Sequence, residues 1–228
     1  MKNLGKKIAI LALSFVSFLG VQSASAMEGF SVGVAFNQTA FMGTGKETMT
    51  GSGGNTTKTK ITEEEGAFED TVGSIFGEYA ANDKISIGIE MFLEDVKTPE
   101  NLNIQQTKTT GAGNIKNRVK ASFEDHTTLY ANINLAFGTY LKLGYVMVDV
   151  ATQESLATGS KYGNVNTNGY TVGLGYQYNA PNGVFVRGEI SATDYDDVSA
   201  TSTTDSSKQI QVNNMYGAIG ALKIGKSF

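Results

Sequence analysis

The sequence predicts an all-β fold: an eight-stranded antiparallel up-and-down barrel that crosses a membrane, with short turns at one end and long loops at the other. Three observations predict it. From Met27 onward, apolar side chains recur at every second residue in short runs, the period of a strand and not of a helix. The gaps between runs alternate between tight turns and long polar stretches. The faces opposite the apolar ones carry glycine, alanine and serine where a water-exposed face would carry Lys, Glu, Thr and Gln.

Before the first run stands a leader. Lys2, Lys6 and Lys7 form a basic region, Ile8 to Val21 an apolar one, and Ala24-Ser25-Ala26 a cleavage-type triplet. The apolar stretch is short for a span of about 20 residues, so 1–26 reads as an export signal and 27–228 as one barrel domain.

The first run sets Phe30, Val32, Val34 and Phe36 against Ser31, Gly33, Ala35 and Asn37. The second, Thr71 to Ala80, sets Ile75, Gly77 and Tyr79 against Phe76 and Glu78. After Ala81-Asn82-Asp83 the third is regular: Ile85, Ile87, Ile89, Met91 and Leu93 oppose Ser86, Gly88, Glu90 and Phe92. The fourth, Arg118 to Ile133, is ragged in its middle, where Asp125 and Thr127 fall on the apolar side; a bulge is expected there. Leu141, Leu143, Tyr145 and Met147 mark the fifth run, and Tyr170, Val172, Leu174, Tyr176 and Tyr178 the sixth. Val184, Val186, Gly188 and Ile190 mark the seventh, and the eighth begins near Ile210 and ends in "YGAIGALKIGKSF". Tight turns fall near Asn82, Asn134 and Asn182. Long polar gaps cover Gly43–Ala67, Asp95–Asn117, Ala151–Asn168 and Asp194–Lys208, lengths unusual for compact soluble domains.

A lipocalin-like soluble barrel would share the alternation with its apolar face inside. The small residues of the opposite face decide against it, because the lumen of an eight-stranded barrel is only just wide enough for its own side chains. The few long polar residues on that face form an expected internal network: Glu78, Glu90, Glu124 and Glu189 against Arg118, Lys120, Lys142 and Arg187. With no tryptophan, the interfacial girdles must be Tyr and Phe. Phe30, Tyr79, Tyr178 and Phe228 stand at the turn ends, and Tyr145, Tyr170 and Tyr216 toward the loop ends. The steps from Tyr216 to Phe228, at roughly 3.3 Å each and tilted, cover about 30 Å, enough for an apolar band of about 25 Å. Alternation continues to the last residue because the last strand must pair with the first: an open edge in lipid leaves backbone groups unsatisfied.

These features resemble small bacterial outer-membrane β-barrels of the OmpA/OmpX/opacity-protein type. The resemblance rests on the leader ending Ala24-Ser25-Ala26, the eight alternating runs and the terminal "YGAIGALKIGKSF". It implies a Gram-negative outer-membrane location and contact with outer-membrane lipids and lipopolysaccharide. It also implies that Phe228 resembles the terminal aromatic read by the outer-membrane assembly machinery. The expected role is non-catalytic, in envelope structure and surface contact or adhesion through the loops, by a monomer whose surface ligand is not specified. Passage or binding of a small ligand is the alternative, and lipid modification a more distant one.

Composition narrows the chemistry. The chain has 18 basic and 22 acidic side chains; without the three leader lysines, 15 basic residues face 22 acidic ones, a net charge of −7 that disfavours nucleic acid. There is no cysteine and one histidine, so neither disulfides nor a Cys/His metal centre is expected. No cofactor is implied. Glu124, His126 and Thr128, two apart on one strand face, supply the elements of a hydrolytic triad, although a hydrogen-bonded lumen histidine is the commoner outcome of such spacing. Glu63-Glu64-Glu65 and Asp194, Asp196 and Asp197 could offer oxygens to Ca²⁺ or Mg²⁺; a solvated acidic loop explains them as well. "GTGKETMTGSGG" lacks the spacing of a phosphate loop.

Overall fold

The computed structural model describes residues 29–50, 59–105, 115–156 and 160–228; the expected leader, 1–26, lies outside them. The strands are β1 (Gly29–Thr50), β2 (Thr59–Ala80), β3 (Ile85–Phe92), β4 (Val96–Lys97), β5 (Asn101–Gln105), β6 (Ile115–Asn134), β7 (Thr139–Leu156), β8 (Val165–Asn179), β9 (Val184–Tyr195), β10 (Val198–Thr201) and β11 (Lys208–Ser227). Eight of them form an antiparallel ring in the order β1-β2-β3-β6-β7-β8-β9-β11, closed by β1 on β11. The short β4 and β5 add to the edge of β6, and β10 to β11. Closure reaches the end of the chain: Ser31 pairs with Ser227, and the Phe228 amide donates to the Phe30 carbonyl at 2.8 Å.

Directly opposed residues, followed around the ring from Ala80 of β2 through Ser86, Asn132, Lys142, Gly173, Ser191, Ile219 and Thr39, lead back to β2 at Asp70, ten residues from the start. Such a shear in an eight-stranded barrel tilts the strands by about 40°.

The tight turns lie where the asparagines predict them. Asn82 Oδ1 accepts the amides of Lys84 and Ile85, and Asn182 Oδ1 accepts that of Val184, side chains standing in for backbone turn acceptors. The expected long loops are corrected. Much of their length is strand: β1 pairs with β2 as far as Thr50–Thr59, and β6 with β7 as far as Asn117–Leu156. Beyond the lipid a strand needs no apolar face, so alternation stops while pairing continues. Lys46 and Glu63, directly opposed there, lie 3.4 Å apart.

The outward face is apolar on every ring strand. Phe30, Val32, Val34 and Phe36 are 65%, 53%, 52% and 60% exposed, and the same holds for Ile87 and Met91 of β3, Leu129 of β6, Leu143 of β7, Val172 and Leu174 of β8, Val186 of β9, and Leu222 and Ile224 of β11. A continuous belt of this kind far exceeds the patches that water-exposed monomers carry, and no soluble barrel with its grease inside fits it.

Candidate functional site

The turn-side half of the lumen holds one hydrogen-bonded charge layer to which every ring strand contributes. Lys142 Nζ of β7 donates to Glu90 Oε2 at 3.1 Å and to Glu189 Oε1 at 2.8 Å. Lys223 Nζ of β11 lies 2.6 Å from Glu90 Oε2 and 3.2 Å from Glu189 Oε1. Two ammonium groups thus bridge the same two carboxylates. Beside them Arg187 grips Glu78 with Nη1 at 2.8 Å and Nη2 at 3.2 Å, a bidentate pairing that fixes both planes. The remaining acceptor positions are filled from other strands. Ser74 donates to Glu90, Ser86, Tyr130 and Asn132 donate to Glu78, and Tyr140 donates to Glu189 at 2.6 Å. Asn37 of β1 donates to Ser74, and Gln177 of β8 accepts from Arg187 Nε at 2.9 Å. All six charged residues are buried, three of each sign, so the layer is neutral as a unit.

Of the network expected from sequence, Glu78, Glu90, Lys142, Arg187 and Glu189 come together. Arg118, Lys120 and Glu124 do not, and the cause is the bulge on β6. Between Glu124 and Thr127 the register with β7 slips by one residue around Asp125, whose φ is +52°. A slip of one residue exchanges the two faces. Below the bulge the even residues Thr128, Tyr130 and Asn132 are buried inside; above it Phe123 packs inward, and Glu124 stands opposite the exposed Asp149. Arg118 instead pairs with Glu100 at 2.8 Å, both half-exposed, and Lys120 is opposed to Gln153. The sequence reading missed Lys223, although it stands at the parity of Gly217 and Ala221, on the small-residue face of the last run.

The same bulge separates the three residues that could have formed a triad. His126 is 2% exposed and stacks on Phe92 with ring centroids 4.0 Å apart; its Nε2 lies 3.1 Å from the Tyr195 hydroxyl. Glu124 is on the other face. Above the charge layer, His126 joins an apolar core that fills the loop-side half of the lumen. There Phe41, Phe68 and Phe123 stack at 5.2–5.8 Å, among Val72, Val96, Val146, Val148, Val150 and Met215. The expectation of a polar lumen therefore holds only for the turn-side half. Between the two compartments lies a cavity of about 10 Å³, bounded by Asn37, Glu90, His126, Thr128, Thr171 and Thr193, with room for a single water.

Four of the seven rings expected at the interfaces form two opposed pairs. Phe30 and Tyr79 lie 5.0 Å apart at the turn end, and Tyr145 and Tyr170 lie 5.4 Å apart, edge to face, toward the loop end. Tyr178, Tyr216 and Phe228 are exposed on the outer face, with Lys226 Nζ 5.5 Å over the Phe228 ring. Tyr176 keeps the outward parity of Leu174 and Tyr178 but is buried, because Gly138 of the β6–β7 turn packs beside its ring. At the other end, Glu63 is taken by Lys46, and Asp197 accepts the Asn214 amide at 3.0 Å. Among the described residues no group of three or more acidic or histidine side chains stands ready for a metal ion.

Residues 8–217 match the outer membrane protein beta-barrel domain family. No curated protein matches the chain. Among solved structures, the outer membrane protein OprG from Pseudomonas aeruginosa is similar with a TM-score of 0.50 at 12% identity, covering 90% of this chain and 99% of that one. The outer membrane protease OmpT from Escherichia coli gives 0.49 at 10% identity, covering 92% and 100%. Ail, the attachment invasion locus protein of Yersinia pestis, gives 0.40 at 12% identity, covering 89% and 100%. At such identities the likeness concerns the fold alone. The family match spans most of the chain, and the closed antiparallel ring with its apolar side chains outside agrees with it. The chain belongs to the outer membrane protein beta-barrel domain family, and its place is the Gram-negative outer membrane.

Proposed function

We propose that the protein is a non-catalytic component of the envelope that makes surface contacts through the extracellular ends of its hairpins. The observation that carries this reading is the filled lumen: a neutral charge layer and an apolar core occupy both halves, which argues against passage of a solute. The separation of Glu124 from His126 removes the best sequence argument for hydrolysis. Among the described residues, in contrast, the loop-side segments of β1, β10–β11 and the start of the stretch before β8 are tied to one another. The Thr50 amide donates to the Ser207 carbonyl at 2.8 Å, the Thr203 amide to the Lys161 carbonyl at 2.7 Å, and Lys208 Nζ to Ser160 Oγ at 2.9 Å. A held surface loses less conformational entropy on contact than a floppy one.

Two measurements test this. In planar bilayers the purified barrel should give no discrete conductance steps; reproducible single-channel openings would reverse the reading. Adhesion of intact cells displaying the protein should fall to background when the Ser202–Ser207 segment is exchanged for a Gly/Ser linker, with heat-modifiable gel mobility unchanged. Undiminished adhesion after that exchange and after protease shaving of the other hairpins would remove the loops from the account.

The β10–β11 turn carries a smaller expectation. Asp205 Oδ1 accepts the Ser207 hydroxyl at 2.6 Å and the Ser207 amide at 3.1 Å, and these bonds hold its carboxyl below the ordinary 3.8. A depressed carboxylate steadies its turn above the unfolded value and releases it as pH falls through the folded one. Asp205→Ala should therefore speed exchange of the Ser207 amide at neutral pH, with the difference shrinking in strong acid.

A further inference from the structure

The geometry points to Phe137 as a lipid anchor: its ring is held out from the β6–β7 turn into the periplasmic leaflet, adding to the aromatic girdle beside β3, β6 and β7, which carry no outward ring there. The backbone is the first observation. Phe137 has φ 61° and ψ 31°, Gly138 follows with φ 77°, and the Thr139 amide closes onto the Ala136 carbonyl. Two successive positive φ values make a type I′ turn, whose first central position favours Asn, Asp or Gly. Among the described residues the other non-glycines with positive φ are Asp125 and Asn214, types that tolerate this region; a bulky aromatic does not. An Asn-Gly turn would close the same hairpin without strain, so the ring answers to something outside the chain.

Exposure is the second. Phe137 is 79% exposed and Leu135 54%; within the chain the ring finds little cover. Position is the third. Gly138 lies against the Gln177 carbonyl and Thr139 is opposed to Tyr176, which sets Phe137 at the height of Tyr178. Around the turn end, girdle rings stand on β1, β2, β8 and β11, as Phe30, Tyr79, Tyr178 and Phe228. The stretch formed by β3, β6 and β7 has none, and Phe137 occupies it. Leu135 continues the outward parity of Ile133, which stands opposite Leu141 and through it beside the exposed Leu174 of the lipid-facing belt, so the occupant is the same lipid. Aromatic rings favour that depth, where an apolar body meets a wet boundary.

The chain has no tryptophan and no cysteine, so a probe here reports without background. In vesicles of phosphatidylcholine brominated near the head of the acyl chain, Phe137→Trp should lose roughly half or more of its emission relative to unbrominated vesicles, and aqueous iodide should barely reach it. Quenching by iodide and not by bromine would place the ring in water and overturn the inference. Protection from both would mean protein covers it, and would overturn the inference equally. Should the tryptophan variant fail the heat-modifiable fold test, Phe137→Cys carrying a nitroxide replaces it. The label should then be more accessible to oxygen than to a water-soluble nickel complex, and the opposite order would refute the anchor.

Discussion

Glu90→Leu should lower the unfolding free energy of the barrel by about 3–5 kcal/mol in urea titrations from lipid vesicles, the cost of breaking a buried ion pair from one side. Glu90 is the acceptor for Lys142, Lys223 and Ser74 at once. Without it, two buried ammonium groups share the single carboxylate of Glu189, and the layer carries an excess positive charge away from bulk water. Restoring neutrality should restore much of the loss. In Glu90→Leu/Lys223→Met, Lys142 keeps Glu189 and Arg187 keeps Glu78, and the two apolar side chains fill the vacated volume. Removing both partners of a buried pair is often neutral or stabilising, so the double variant should be more stable than Glu90→Leu alone. A single variant within about 0.5 kcal/mol of the parent, the range of ordinary surface changes, would mean that the charges are hydrated in the bilayer and that the layer is not a sealed unit.

Why Glu90 and Glu189 were legible as lumen residues while Arg118, Lys120 and Glu124 were misplaced comes down to register. Face assignment from sequence extends a parity along the strand, and parity holds only while one residue opposes one residue. On β3 and β9 it does, from Ile85 to Met91 and from Val184 to Tyr195. On β6 it fails at Asp125. The sequence announced the failure, since Asp125 and Thr127 broke the alternation, but it did not say on which side of the break the faces exchange. A second bulge at Asn214, also with φ 52°, shifts β11 against β1 between Met42 and Thr44. Its trace is fainter, because Ile210 and Val212 beyond it keep the even parity of Tyr216, so the alternation resumes in step although Val212 packs on the core.

The extent of the strands was hidden for a related reason. Alternation is a record of lipid on one side and lumen on the other, and it ends where the membrane ends. Pairing does not. Gly43–Thr50 continues β1 with Thr, Lys and Glu side chains that suit a water-exposed sheet, and a hydrophobic pattern has nothing to detect there. Ring closure, strand number and turn position were readable because each leaves a mark in the membrane-spanning part itself: apolar residues up to Phe228, eight runs, and an asparagine at each turn.

The lumen glycines carry the second large effect. Four of them sit directly opposite an inward aromatic on the next strand: Gly33 faces Phe76, Gly88 faces Tyr130, Gly175 faces Tyr140 and Gly225 faces Phe185. In each pair the ring lies over the glycine, so that a Cβ added at Gly175 would meet the Tyr140 ring at 2.0 Å and one at Gly33 the Phe76 ring at 2.4 Å. A ring laid flat across its neighbour's backbone covers those peptide groups and frees the centre of the lumen for the charge layer. Gly175→Val should therefore act at a distance. Tyr140 is 2% exposed and its hydroxyl donates to Glu189, so a ring pushed off Gly175 takes that hydrogen bond with it. Overpacking costs about 1–3 kcal/mol and loss of a bond to a charged acceptor about 1.5–3 more, which together overlap the range expected for Glu90→Leu. The check is a cycle with Tyr140→Ala. If the ring is the obstacle, Gly175→Val should be far better tolerated in the Tyr140→Ala background, since the Cβ then enters space the ring has left. Equal penalties in both backgrounds would show that the valine clashes with the backbone of β7 or β9 instead, and that the glycine serves close strand approach and not the seating of the ring.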